Sequence, residues 1–298
     1  MPHSHNPTDG QKSSLLLSIG LNFGFAIIEF IAGLYANSLA LLSDSVHDLS
    51  DAAALGLSYL GVRLSERHPT ERRTFGFKKV RILTAFINAL VLIGLTAFII
   101  RSAVLRLLHP ETVKGTVLVY LSIVGIIVNG LAVLLLRRHK KSLNIRAAMW
   151  HLLEDFLGWI AVLVGGIVMY FTHWYVIDPI LSILLGVFVI YGAYTVFRDA
   201  TRILIDSTPH DIDFADVAAF VRAFDPVIKD LHDLHVWTLG EGERALMCHV
   251  VVHDAAVSSF HPILARLECA LHQQFEITHV TIELECENCK SGDNVCLP

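Results

Sequence analysis

The sequence predicts an α-helical membrane protein, with six transmembrane helices followed by a cytoplasmic α+β domain of order αββαβ. Three observations predict it. Hydrophobic residues make up 54% of the 298-residue chain and charged residues only 17%, against about 25% charged in an ordinary soluble protein. The apolar residues gather into runs of about 20, the length that crosses a bilayer. After residue 205 those runs stop, and the periodicities of a folded soluble module replace them.

The spans follow one another as Leu15–Ala36, Leu39–Val62, Val80–Leu108, Val117–Leu136, Ala147–Tyr170 and Ile177–Phe197. Short connectors, YANS and HWYVID, tie neighbouring spans into antiparallel hairpins. The third span carries Arg101 and Arg106 in its last part, which leaves its end open. The expected organisation is an N-terminal cytoplasmic tail (1–14), a membrane domain (15–205), an α+β domain (206–285) and a cysteine-containing tail (286–298). No cleavable signal peptide is expected, because the polar start, MPHSHNPTDGQKSS, leads into a run long enough to span.

Orientation follows from the basic residues. The second connector, RLSERHPTERRTFGFKKVR, and the fourth, RRHKKSLNIR, are rich in Arg and Lys, whereas the first and fifth have neither. The positive-inside rule places both basic connectors, and with six spans both termini, in the cytoplasm. Lys114 and the nearby Arg106 weaken that pattern without reversing it. Orientation accounts for the basic clusters, so nucleic acid is not implied. The net charge of −5 averages two unlike regions and identifies no partner.

In the soluble portion, DIDFADVAAFVRAFDPV has helical periodicity. IKDLHDLHVWTLG and RALMCHVVVHD alternate as strands about the turn GEGE; SFHPILARLECALHQQF is helical and THVTIELEC is a strand. All five cysteines, Cys248, Cys269, Cys286, Cys289 and Cys296, lie after the last span. An odd number in a cytosolic region argues against a disulfide framework.

The second span contains His47 and Asp51, and the fifth contains His151 and Asp155. Residues four apart share a helix face, so each span presents one imidazole and one carboxylate together. Two such pairs supply four ligands for a tetrahedral site of the kind zinc prefers. The spans hold no thiolate for copper(I), and no all-oxygen set for magnesium or calcium is expected. A single intramembrane histidine reads as readily as an interhelical hydrogen bond. Duplication of the pair, and the cost of burying two carboxylates for packing alone, favour a site. Asp44 shares the face of His47, as a group orienting the ligands or a waypoint toward the outside. Glu29 and Asn22 either orient ligands, face a hydrated cavity or make structural hydrogen bonds. Asn88 and Asn129 are expected to bond between helices. Asp48 is expected at the cytoplasmic or interfacial rim, and Glu154 falls about 100° away from the pair's face.

SDSVHDLSD in span two, HLLED in span five, the connector ERRTFGFKKVRILTAFINAL, LHDLHVWTL in the tail, and Asn22, Glu29 and Gly33 in span one carry a further signal. Over nearly its whole length the sequence resembles the cation diffusion facilitators, a family of zinc and related divalent-metal transporters. The resemblance implies a metallochaperone-like cytoplasmic domain, a homodimer, and metal export coupled to proton import. It maps the transport site onto His47, Asp51, His151 and Asp155. It also implies regulatory metal-site candidates, His232, His249, His261 and Glu285, near the contact between the two soluble domains. Each of these has an alternative reading as an ordinary surface or strand-edge residue. His235 reads as structural and His279 is undecided. Arg81 departs from the family pattern, where an acidic residue is common, which puts a local contact in doubt. No long His-rich segment joins spans four and five, so metal capture by that loop is not supported.

Cys286 and Cys289 form C-x-x-C, followed by Cys296. Either they bind zinc with help from nearby histidines or from His3 and His5, or they form a mobile reduced tail. Two carboxylates balance the charge of one divalent cation, and an empty site favours proton uptake, so protons and metal compete for the same side chains. The expected activity is export of Zn2+, with Cd2+ and Co2+ as further cargo, in exchange for H+; Zn2+ is both substrate and regulatory ligand. An enzyme is not expected: the H-E-x-x-H signature of a metalloprotease is absent, and four protein ligands leave no position for water. A membrane metal sensor with a structural site stays open as a rival. The expected setting is a bilayer, as a multi-pass protein of a bacterial inner membrane.

Overall fold

The computed structural model describes residues 9–65, 69–136, 143–240, 242–253 and 255–286. Side chains at 9–19, 21–22, 58–63, 65, 132–133, 135–136 and 143–152 lie outside that description. Six long helices come first: α1 (Asp9–Ala36), α2 (Leu39–Ser65), α3 (Val80–Leu108), α4 (Gly115–Leu136), α5 (Leu143–Thr172) and α6 (Ile177–Leu204). Each apolar span falls within one of them. Helices α1 and α6 outrun the apolar stretch because helical hydrogen bonding continues into polar sequence, where no bilayer is needed to favour it. The tail follows as α7 (Phe214–Ala223), β1 (Ile228–Gly240), β2 (Glu243–Val252), α8 (Val257–Phe275) and β3 (Ile277–Cys286), the expected αββαβ order.

Among the described residues, three helical segments are long and apolar enough to cross a membrane on composition alone: Val80–Leu108, Leu153–Thr172 and Ile177–Leu204. Phe23–Ala36 and Gly115–Leu131 are shorter apolar segments of α1 and α4. Helix α2 is not among them; it carries Asp44, Asp48 and Asp51 within two turns.

The chain divides into two compact units, Met1–Tyr59 with Ile87–Phe197, and Leu60–Phe86 with Arg198–Pro298. In the helical unit, Ala36, Leu41, Leu118, Trp159, Val162 and Met169 form one buried cluster drawn from α1, α2, α4 and α5. Leu39, Ile99 and Ala103 join α2 to α3, and Leu92, Val189 and Ala193 join α3 to α6. Large apolar side chains such as Phe98, Leu134 and Leu184 point outward, as lipid-facing positions should.

Where α1 meets α2, the chain turns through Asn37 with φ at 55°, a left-handed conformation that asparagine tolerates. Ser38 then caps α2: its Oγ accepts from the Leu41 amide at 3.2 Å and donates to Asp178 Oδ1 at 2.5 Å. Asp178, fully buried at the start of α6, also accepts from the Leu39 amide at 2.8 Å and the Ala40 amide at 3.4 Å. Arg106 of α3 lies 3.8 Å from it and donates to the Asn37 carbonyl at 2.7 Å. The first turn of α2 is thereby held by α3 and α6.

The soluble unit has a three-stranded sheet of order β1-β2-β3, antiparallel between β1 and β2 and parallel between β2 and β3. Gly242, with φ at 72°, makes the turn between the antiparallel pair. Val217, Val221, Leu231, Leu246, Val250, Leu267 and Leu271 belong to its buried core. Asp213 caps α7 by accepting from the Ala215 amide at 2.8 Å. The α2–α3 connector belongs to this unit: Lys78 pairs with Glu243, Lys79 pairs with Asp206 at 2.6 Å, and the Phe75 ring meets His279 edge-on.

Candidate functional site

In α2, His47 Nε2 lies 3.8 Å from Asp51 Oδ2, one helical turn on, and both side chains are half-buried. The i, i+4 spacing alone brings them together. Asp155 of α5 is also half-buried, and it lies close enough to act electrostatically on Asp44 and Asp48 of α2. The carboxylate of the α5 pair therefore faces the acidic stripe of α2. His151 sits one turn earlier in α5; its side chain lies outside the described residues. Glu154 is exposed, off the shared face as its position requires.

Asp48 shares the acidic face of α2. It is within electrostatic reach of Asp44, Asp155, His47 and Asp51, because a helix with aspartates at 44, 48 and 51 turns all three to one side. Glu29 of α1 is fully buried and faces Asp44 and Asp48. Asn88 of α3 donates to Ser50 Oγ at 3.0 Å, an interhelical bond to α2. The side chain of Asn22 lies outside the described residues.

The soluble unit gathers a second set. His232 and His249 stand opposite each other in the β1–β2 register, and β3 runs beside β2. Glu285 Oε1 lies 3.0 Å from His249 Nδ1, and Glu285 Oε2 lies 3.3 Å from His232 Nε2. One ligand atom from each of the three residues falls within 4.8 Å of the others, the spacing that could hold a metal ion. The sequence reading missed two neighbours: Asp233 Oδ2 and Glu283 Oε2 each lie 3.5 Å from His249 Nε2. Asp233 comes from an irregularity in β1 between His232 and His235, where its φ is 47°. An added residue in one strand re-aims a side chain in this way. The doubled spacing in LHDLH was the available signal.

His261 is not part of that ligand group. It lies exposed in α8, whose neighbouring Phe260 turns to the core and leaves His261 outward. His235 bonds to Asp233 at 3.0 Å, and His279 packs against Phe75. Cys248, beside His249, is fully buried, and burial pushes its thiol up to about 12, so it stays neutral and is a poor ligand. Cys286 is disulfide-bonded, contrary to the expected reduced thiol; while that bond is closed its sulfur cannot act as a thiolate ligand. His3, His5, Cys289 and Cys296 lie outside the described residues.

Apolar helices with ionisable groups turned inward, followed by a soluble sheet domain with an imidazole–carboxylate cluster, define a membrane transporter of cations. Residues 15–205 match the family model for a cation efflux transmembrane domain, and residues 209–287 match that for a cation efflux protein's cytoplasmic domain. The chain belongs to the cation efflux, or cation diffusion facilitator, family, whose members are transporters and not enzymes. It is 34% identical over 292 residues to the metal cation efflux system protein CzcD of Cupriavidus metallidurans, covering 98% of this chain and 92% of the relative. It is 37% identical over 301 residues to the cadmium, cobalt and zinc/H(+)-K(+) antiporter of Bacillus subtilis, covering 100% and 96%. The metal-bound C-terminal domain of the CzcD transporter from Cupriavidus metallidurans is 42% identical, and the match covers 25% of this chain and 99% of that domain, with a TM-score of 0.22.

Proposed function

We propose that the protein exports Zn2+, with Cd2+ and Co2+ as further cargo, from the cytoplasm in exchange for H+. The observation that carries this reading is the facing of Asp155 of α5 toward the acidic side of α2 that also bears the His47–Asp51 pair. His47, Asp51, His151 and Asp155 are the ligands of the cargo. Two ionised carboxylates offset a divalent charge that hydrocarbon would otherwise reject, and protons take its place after release. The names of relatives, which include cadmium, cobalt, zinc and H(+), support the cargo and the counter-ion.

The protein works as a homodimer in a bacterial inner membrane, with both termini cytoplasmic. His232, His249 and Glu285 form a regulatory metal position in the cytoplasmic domain.

Proteoliposomes test the transport reading. Zinc uptake against an imposed pH gradient is expected for the wild-type protein, with matching proton movement, and Asp51→Ala is expected to abolish both. Coupled transport that continues undiminished in Asp51→Ala would sink the assignment. Zinc binding without any transport by the wild type would favour a sensor instead.

A further inference from the structure

Glu29 has no place in the four-ligand transport site, yet it is the most deeply buried acid near it. Its side chain is 0% exposed, and among the described residues neither carboxyl oxygen meets a hydrogen-bond donor. It faces Asp44 and Asp48, which lie four apart on α2 and are half-buried. Asp44 and Asp48 in turn face Asp155. A carboxyl taken out of water is retained when it is paired, hydrogen-bonded or bound to a cation. A structural role would show a donor, as it does at Asp178, where a hydroxyl, two amides and an arginine converge. The ionisable groups that act on Glu29 are two further acids, Asp44 and Asp48.

We propose that Glu29, Asp44 and Asp48 form a second, oxygen-only cation position, which holds the divalent cargo before or after its stay at the transport site. The proposal rests on the transport reading above. Asp44 and Asp48 each precede a transport-pair residue by three positions, so this site lies about 4.5 Å along α2 toward the α1–α2 joint. Three carboxylates offer oxygens of the kind that hard divalent cations accept. Without nitrogen or sulfur they hold zinc less firmly than the histidine-containing set does. A transit position needs that weakness, since an ion must be able to leave it as well as enter. Asp44 and Asp48 keep a minor part of their surface exposed, which is the side from which an ion enters, while Glu29 closes the buried side. The three carboxylates are split between α1 and α2, so no single span displays the set.

Cadmium NMR of the full-length protein in detergent, saturated with Cd2+, tests this, because oxygen-only and nitrogen-containing sites resonate far apart. The wild type is expected to show an oxygen-only resonance besides the nitrogen-containing ones. Glu29→Gln is expected to lose the former and keep the latter, whose survival reports a folded bundle. If Glu29→Gln unfolds, Asp44→Asn, at a half-buried position, reads the same resonance. A wild type with no oxygen-only resonance, or one that persists in Glu29→Gln and Asp44→Asn, overturns the proposal. Failure of the transport reading is separately visible: His47→Ala would leave every nitrogen-containing resonance in place, whereas His249→Ala identifies the cytoplasmic one.

Discussion

Asp178 is a carboxylate with no exposed surface, and four groups turn toward it: the Ser38 hydroxyl, the amides of Leu39 and Ala40, and the Arg106 guanidinium. From the start of α6 it faces the N-terminus of α2, where the helix dipole also favours a negative charge. Removing one partner from a buried charged group costs about 3–5 kcal/mol, since the other partners are left unpaired. Asp178→Ala is therefore expected to lower the melting temperature of the purified protein by roughly 10 °C. Asp178→Asn, which keeps an acceptor for Ser38, is expected to lose less. Thermal unfolding in detergent measures both, and an unchanged melting temperature in Asp178→Ala would refute the role. The residue was not legible in sequence. HWYVID reads as a polar connector, and only the arrival of α1, α2 and α3 buries its last member. His47 and Asp51 were legible because their contact is local to one helix turn. In sequence Glu29 stays between alternatives and Asp48 reads as a rim residue, since the groups they face lie on each other's helix.

At the scale of elements, α4 and α5 approach most closely where glycine removes a side chain. A methyl group at Gly125 of α4 would collide with the ring of Trp159, which is fully buried one turn beyond Asp155 in α5. Two effects compete in Gly125→Ala. Helix propensity favours alanine by about 0.8–1.0 kcal/mol, and overpacking opposes it by about 1–3 kcal/mol. Overpacking wins here, because the obstacle is a rigid ring with no space to swing into. Gly125→Ala is expected to lower the melting temperature by a few degrees and to weaken zinc transport in proteoliposomes by moving the turn that carries Asp155. Gly192→Ala in α6, where nothing lies within 4 Å of the added methyl, is the control and is expected to be neutral or slightly stabilising. Equal behaviour of the two variants would count against the packing argument. The helix and strand order was readable from periodicity, which is a property of each segment alone. Which helices touch depends on glycine and tryptophan meeting across two segments, and periodicity does not carry that. The same holds in the sheet, where the His232–His249 pairing follows from strand register but Asp233 reaches His249 only through an irregularity in β1.

At the scale of the whole molecule, the connector between α2 and α3 belongs to the same compact unit as the C-terminal domain. Helix α2, which bears His47 and Asp51, thus runs directly into a segment bound to the domain that bears His232, His249 and Glu285. Two ion pairs contribute to that attachment, Lys78 with Glu243 and Lys79 with Asp206. Both are partly exposed, so screening limits each to about 0.5 kcal/mol, and together they favour the attached form roughly fivefold. Reversing both lysines, Lys78→Glu with Lys79→Glu, is expected to raise hydrogen exchange of the connector amides by at least that factor, because repulsion adds to the lost attraction. Compensating reversal, Glu243→Lys with Asp206→Lys, is expected to restore protection. Raising the salt to about 1 M, where the screening length is about 3 Å, is expected to shrink the difference among the variants. Hydrogen–deuterium exchange read by mass spectrometry on the full-length protein checks all three outcomes. Exchange that stays the same in the reversed protein would show that the Phe75–His279 contact and the remaining packing hold the connector without help from charge.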